Sequence, residues 1–176
     1  MVKPPFMAFC RLPALTAGVM LFCAIALGGA FLAQYGFDMQ PCPMCYWQRV
    51  PYAVAFVLAA LALMARRPNP SVAHMMLWLV VPVLLVSAGL GVYHAGVEWE
   101  WWEGPSSCTG TSLADMTLEQ IRERIMGAPQ ASCSEAAFRV LGISMAGWNA
   151  LYSLAGLVAL VYGLRHLPQT ETGAAA

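Results

Sequence analysis

Four long runs of apolar residues constrain this chain more than any other feature. They read as roughly Leu15 to Ala33, Val50 to Ala65 (extended upstream by Tyr46 and Trp47), Val72 to Tyr93, and Met145 to Leu164. Each is close to the length that crosses a hydrocarbon core, about 20 residues as a helix. The chain of 176 residues is 60% hydrophobic and only 10% charged, whereas soluble domains average about 45–50% and about 25%. The expectation is an all-α membrane protein: a bundle of four transmembrane helices forming one domain over residues 1–176. The formal net charge is zero and no basic tract is present, so a nucleic-acid partner is excluded. The first run follows Lys3 and Arg11, as the core of a secretory signal would, but Leu12 to Ala33 exceeds the usual length of such a core, about 7–15 residues, and no clear small-residue cleavage site follows. It is read as a retained span.

Charge sets the expected topology. Lys3 and Arg11 precede the first run, Arg66 and Arg67 occupy the turn between the second and third, and Arg165 follows the fourth. By the positive-inside rule these segments and both termini are cytoplasmic. Arg122, Arg124 and Arg139 oppose this, but they lie away from the span ends. The loops at about 34–45 and 94–144 then face outward, and they hold Cys42, Cys45, Cys108 and Cys133. Disulfides persist in the periplasm or an equivalent oxidising space and not in the cytosol. Cys10, on the inner flank, is expected as a free thiol, and Cys23, mid-span, as a small buried hydrophobe. The four outer cysteines allow three pairings, of which Cys42–Cys45 with Cys108–Cys133 is the natural resting one.

The outer loops carry further signals. Thr117 and Gln120 match a capping box, with Met116 and Ile121 as its hydrophobic staple. Leu118, Ile121, Ile125 and Met126 share a helical face, and Gly127 and Pro129 end the segment, so the long loop is predicted to carry a short amphipathic helix resting on the membrane or the bundle. Upstream, the tryptophans of Val97-Glu98-Trp99-Glu100-Trp101-Trp102-Glu103 are read as an aromatic belt at the membrane boundary. Residues Gln169 to Ala176 read as a disordered tail.

Cys42-Pro43-Met44-Cys45 is the chemical centre of the chain. Two intervening residues let both sulfurs meet across one helical turn. If a helix begins near Pro43, the sulfurs sit at its N-terminus, where the dipole favours a thiolate. Arg49 follows Cys45 by four positions, one turn on, and is expected to favour Cys45 as the thiolate. Pro51 removes a backbone bond to Trp47 and can kink the helix start. Read alone, such a pair can be redox-active, a structural bridge or half of a metal site. A zinc site wants four close ligands, and neither stretch between paired cysteines holds a histidine; no metal is expected. The Cys108–Cys133 pair would close a loop worth roughly 3 kcal/mol as a structural bridge. Gly104-Pro105-Ser106-Ser107 and Thr109-Gly110 around Cys108 favour the mobility that thiol–disulfide exchange requires instead.

With these residues assembled, the sequence resembles the DsbB family of membrane thiol oxidases. Cys42-Pro43-Met44-Cys45-Tyr46-Trp47-Gln48-Arg49 is similar to the family's core motif, and the Cys108/Cys133 spacing and Ser144-Met145-Ala146-Gly147-Trp148-Asn149 also resemble it. The resemblance covers nearly the whole chain. It implies a protein-dithiol:quinone oxidoreductase of the bacterial inner membrane, which reoxidises a DsbA-like periplasmic thioredoxin-fold protein and thereby sustains disulfide bond formation. In that scheme the partner attacks Cys108, Cys133 resolves the mixed disulfide, Cys42–Cys45 reoxidises the resulting dithiol, and Cys45 passes electrons to ubiquinone or menaquinone. Arg49 would hold the quinone ring, with His94 near it. Asn149 and Ser153, in the outer half of the fourth span, are read as interhelical hydrogen-bond glue.

Two rival functions differ in kind. A vitamin K epoxide reductase-like enzyme also couples a C-x-x-C pair to quinone, but that family typically places the pair on its last span, whereas here it precedes the second. A membrane scaffold or metal-binding protein with structural disulfides would reduce no quinone at all.

Overall fold

The computed structural model describes residues 11–105, 108, 117–119, 122 and 132–168. Four helices dominate it: α1 (Leu12–Phe31), α2 (Pro43–Ala65), α3 (Pro70–Glu98) and α4 (Met145–Arg165). All four are long and apolar enough to cross a membrane. The protein is multi-pass, as the apolar runs predict. Cys10, the C-terminal tail and most of the predicted loop helix lie outside the described residues; Leu118, within that segment, is exposed.

Local chemistry sets where each helix starts. Proline stands in the first turn of α1, α2 and α3, where its missing N–H is no loss. Asn69 caps α3 by accepting from Val72 N–H at 3.2 Å, and Ser144 caps α4 by accepting from Gly147 N–H at 3.1 Å. α1 passes into a π-helical turn at Leu32–Gly36, so Gln34 belongs to the helical segment rather than to the first loop. α2 begins at Pro43, three residues before the expected start, and continues through Pro51 without interruption.

α3 departs most from expectation. The apolar run ends at Tyr93, but the helix goes on to Glu98, adding more than a turn that buries His94, Val97 and Glu98. Its end is a Schellman turn: Glu100 N–H bonds Val97 O at 3.1 Å, Trp101 N–H bonds Gly96 O at 2.9 Å, and Glu100 takes a φ of 58°. Trp102 folds back onto the helix, donating its indole N–H to Tyr93 O at 2.8 Å and packing where a side chain on Gly96 would sit. The tryptophan segment thus also caps the helix, while Trp99, Trp101 and Trp102 stay part-exposed at its edge.

Packing places α3 between α2 and α4, with α1 against α2 and touching α4. Small residues permit close approach, as in membrane helix interfaces generally. Ala55, Ala59 and Ala62 of α2 are fully buried, facing a core with Ala73, Leu77, Val80 and Leu84 of α3. Gly91 lies against the backbone of Ala150, leaving no room for a Cβ. Leu21, Leu85 and Val158 are among the exposed apolar side chains that suit lipid contact. Before α4 a hairpin pairs β1 (Arg139–Val140) with β2 (Ile143–Ser144), in the register Arg139 to Ser144. Leu141 and Gly142 both take positive φ in its two-residue turn. Trp148 ties the hairpin to α4 by donating to Val140 O at 3.1 Å.

Candidate redox site

The site forms at one end of the bundle, where the start of α2, the end of α3 and the segment before the hairpin meet. Cys42 is the N-cap of α2, and its Sγ accepts from Cys45 N–H at 3.3 Å. One turn of helix brings the two sulfurs to 2.9 Å. They are free thiols here, whereas Cys108 and Cys133 are joined as a disulfide. Of the expected resting pairs, one is therefore bonded and the other is a close dithiol. Cys23 is free and fully buried in the core.

Cys42, Met44, Val97, Cys108 and Cys133 pack as one buried cluster with Cys45 at its side. The sulfurs of Cys42 and Cys133 and a His94 nitrogen lie within 4.8 Å of one another. A disulfide sulfur is no thiolate ligand, so this trio offers one free thiol and one imidazole, short of the four ligands of a structural zinc site. It suits exchange between a thiol and a disulfide.

The surroundings favour a thiolate at Cys42, whereas the spacing of Arg49 pointed to Cys45. Cys42 Sγ receives the Cys45 thiol and the Cys45 N–H and lies 3.6 Å from His94 Nε2. These donors hold the Cys42 thiol far below its usual value, at about 4; the Cys45 thiol contributes most, burial opposes it, and His94 assists by hydrogen bond and charge. The Arg49 guanidinium is engaged elsewhere. It donates to Gln34 Oε1 at 2.5 Å and sits over the rings of Tyr46 and Phe31, 5.0 and 5.4 Å from their centroids. Cys42, as the cap, meets the Cys45 donors and His94 of α3, while Arg49 bonds Gln34 at the π-helical end of α1 and lines the same cavity as the two cysteines.

His94 is buried at 4% exposure, with Gln48 Nε2 2.7 Å from its Nδ1 and Glu98 Oε1 3.8 Å from its Nε2. Sequence reasoning singled out neither Gln48 nor Glu98. A spacing of four between His94 and Glu98 was the available signal, but assigning both to a loop hid it.

Cys42, Cys45, Arg49, His94 and Glu98 line a cavity of about 720 Å³ that runs to Tyr52, Asn149 and Tyr152. Tyr52 Oη donates to Asn149 Oδ1 at 2.6 Å and lies 2.7 Å from Ser153 Oγ, which bonds Ser87 Oγ at 2.9 Å. This network joins α2, α3 and α4, yet among the described residues the buried Asn149 Nδ2 has no partner.

The family profile for Disulfide bond formation protein DsbB matches residues 13–163. The chain is 30% identical over 138 residues to Uncharacterized protein RP370 of Rickettsia prowazekii, covering 77% of this chain and 78% of that one. It is 26% identical over 151 residues to Disulfide bond formation protein B of Xylella fastidiosa, covering 82% and 86%. With Disulfide bond formation protein B of Marinobacter nauticus the identity is 29% over 143 residues, covering 76% and 80%. No solved structure matches the chain.

Proposed function

The chain belongs to the disulfide bond formation protein DsbB family, and from that premise we infer that it reoxidises a DsbA-like dithiol protein in the periplasm and passes the electrons to membrane quinone. Membership makes it an oxidoreductase of disulfide bond formation and a multi-pass membrane protein. The arginine distribution supports an orientation with termini cytoplasmic and the redox loops outside, and the inner membrane is part of the same proposal.

One observation carries the reading: the Cys108–Cys133 disulfide rests with Cys133 Sγ within 4.8 Å of the Cys42 sulfur. A partner dithiol reduces Cys108–Cys133, its two electrons and two protons leaving two thiols on this chain. Cys133, beside Cys42, is then the sulfur that exchanges with an oxidised Cys42–Cys45 pair. The outcome is a restored Cys108–Cys133 disulfide and a Cys42/Cys45 dithiol. Attack on Cys42 forms a Cys42–Cys133 disulfide and releases Cys45; Cys108 then attacks Cys133, and Cys42 leaves, a low-pKa sulfur that departs faster in such exchange.

The cavity's donors fit a quinone, which when bound supplies a two-electron, two-proton acceptor for the dithiol. Arg49 and Asn149 Nδ2, which has no partner among the described residues, are hydrogen-bond donors for carbonyl oxygens, and Ile25, Leu27 and Met145 give apolar walls. Cys45, the half-buried member of the pair, lines the same space.

The test is anaerobic mixing of the purified, detergent-solubilised protein with a reduced DsbA-like protein and a soluble quinone analogue, following quinone absorbance. Reduction that requires both Cys45 and Cys108, lost in Cys45→Ser and in Cys108→Ser, is the expected result. No reduction by folded protein with oxidised cysteines would overturn the reading.

A further inference from the structure

We propose that the fully reduced protein binds a thiophilic divalent cation, zinc above all, through Cys42, Cys45, Cys133 and His94. The bound ion ties the two cysteine pairs together and stops their exchange. The inference rests on the dithiol:quinone reading for how both pairs come to be reduced at once. One pair of electrons from a partner leaves a Cys42/Cys45 dithiol beside a restored Cys108–Cys133 disulfide. When no acceptor takes them, a second partner dithiol reduces that disulfide too, and Cys133 becomes a free thiol. The sulfurs of Cys42 and Cys133 and a His94 nitrogen already lie within 4.8 Å of one another, and Cys45 Sγ is 2.9 Å from Cys42 Sγ. Three thiolates and an imidazole are a ligand set of structural zinc, and soft thiolates select such ions. The disulfide withholds one of the four ligands, and its reduction supplies it. The histidine absent from both stretches between paired cysteines arrives from α3.

The distances suit coordination. With Zn–S about 2.3 Å and Zn–N about 2.0–2.1 Å, tetrahedral ligands stand about 3.8 Å apart sulfur to sulfur and about 3.6 Å sulfur to nitrogen. Cys42 Sγ lies 3.6 Å from His94 Nε2. The Cys42 and Cys45 sulfurs, at 2.9 Å, must part by about 0.9 Å. Cys45 is half-buried and borders the cavity, so its side chain has room to turn. The Cys45 N–H donates to Cys42 Sγ at 3.3 Å, a bond that coordination of that sulfur leaves in place. The Gln48 amide lies 2.7 Å from His94 Nδ1. With its carbonyl oxygen turned to that nitrogen, Gln48 accepts the Nδ1 hydrogen and leaves Nε2 to the ion, the support that metal-bound histidines generally receive. Cys42, Cys133 and His94 are buried, where thiolates are costly without a cation. The cavity gives the ion an entry path: Cys42, Cys45 and His94 line it, and Glu98 and Glu135 oppose the charge of Arg49 on its wall. Each cysteine that carries a proton releases it to water as its sulfur pair bonds the ion, and nothing is oxidised or reduced.

The experiment titrates the full-length, detergent-solubilised protein with Co²⁺ under anaerobic conditions, after a phosphine has reduced its disulfides and been removed. Tetrahedral cobalt held by thiolates shows intense visible absorption and near-ultraviolet sulfur-to-metal charge transfer, and displacement by Zn²⁺ then gives the zinc affinity. One ion per chain is expected in reduced wild type. Loss of a supporting group alone costs about 10–100-fold in affinity, the range expected for Gln48→Ala. Loss of a ligand should therefore weaken binding by more than about a hundredfold, in Cys45→Ser, Cys133→Ser, His94→Ala and wild type with Cys108–Cys133 intact. Reduced Cys108→Ser keeps all four ligands and should bind as wild type does, which keeps the test decisive if a ligand variant does not fold. Absence of thiolate-bound cobalt overturns the proposal, as does a signal indifferent to Cys133 or to reduction of its disulfide. With Zn²⁺ saturating, the reduced protein should stop reducing a quinone analogue; undiminished reduction overturns the lock. The titration uses neither partner nor quinone, so the two readings fail separately. If the reduced protein binds cobalt yet reduces no quinone analogue without zinc, the electron acceptor is wrong and the metal site stands. If quinone is reduced and no cobalt binds, the metal site is wrong.

Discussion

The Cys42 sulfur lies 3.6 Å from His94 Nε2, a contact that joins the cap of α2 to the last turns of α3. It ties the more acidic thiol of the pair to the buried imidazole and, through it, to Gln48 and Glu98. With the Cys42 thiol held at about 4, its alkylation rate in reduced protein should be nearly flat from pH 8 to pH 5 and fall below that. His94→Ala removes one of the lowering causes, so the midpoint should rise toward the usual thiol range; a one-unit rise corresponds to about 1.4 kcal/mol between the two protonation states. A midpoint unmoved in His94→Ala would show that the Cys45 thiol and N–H set it without the imidazole.

The same depressed value has a consequence for stability, with the sign set by linkage. The folded Cys42 thiol binds its proton more weakly than in the unfolded chain, so its contribution is present above the usual thiol value of about 9. That contribution declines as the pH falls and is gone below about 4. Reduced wild-type protein should therefore gain more thermal stability between pH 5 and pH 8 than Cys42→Ser does. Equal gains in the two, measured by unfolding in detergent, would refute this.

The Cys42 and Cys133 sulfurs are close enough for direct exchange. Removing their usual partners in a Cys45→Ser, Cys108→Ser double variant should leave a Cys42–Cys133 disulfide as the main oxidised product. Non-reducing peptide mapping would detect it. Recovery of both cysteines as free thiols under air would mean that the segment before the hairpin does not rest on α2 in solution.

Arg49 sits over two aromatic rings and bonds Gln34. Arg49→Lys keeps the charge but loses the planar group that stacks on rings and presents paired donors. Contacts of this kind are worth about 0.5–2 kcal/mol each, so KM for a soluble quinone analogue should rise roughly twofold to thirtyfold. An unchanged KM would remove Arg49 from the quinone site.

Gly91 meets the Ala150 backbone with no space for a side chain. Gly91→Val should push α3 and α4 apart and cost about 1–3 kcal/mol, the range for overpacked cores. The check is a lowered unfolding midpoint. Gly89→Val, on the same helix with open space around it, serves as the control and should leave the midpoint almost unchanged.

Much of this protein was legible from its sequence. Four apolar runs specify four spanning helices because length and hydropathy are local properties, and lipid permits a helix few alternatives. The Cys42-Pro43-Met44-Cys45 spacing likewise specifies a thiol pair at a helix start, since proline favours the first turn and three residues of separation close the sulfurs. Helix ends were harder. Tyr93 closes the apolar run, but α3 continues because His94, Val97 and Glu98 are buried by contacts from α2 and by Trp102 folding back. No single residue among them announces that burial.

The tertiary structure alone decided which groups face one another. That Cys133 lies on Cys42, that Arg49 turns to Gln34, and that Gln48, His94 and Glu98 form a line beside the thiolate all depend on contacts between elements far apart in the chain. The sequence alone determined the helices and the sulfur chemistry, because both arise within a turn or two of backbone. The surroundings of the Cys42 thiol are only partly local: the Cys45 thiol and N–H come from the same turn, but the side chain of His94 arrives from the neighbouring helix, and only packing brings it there.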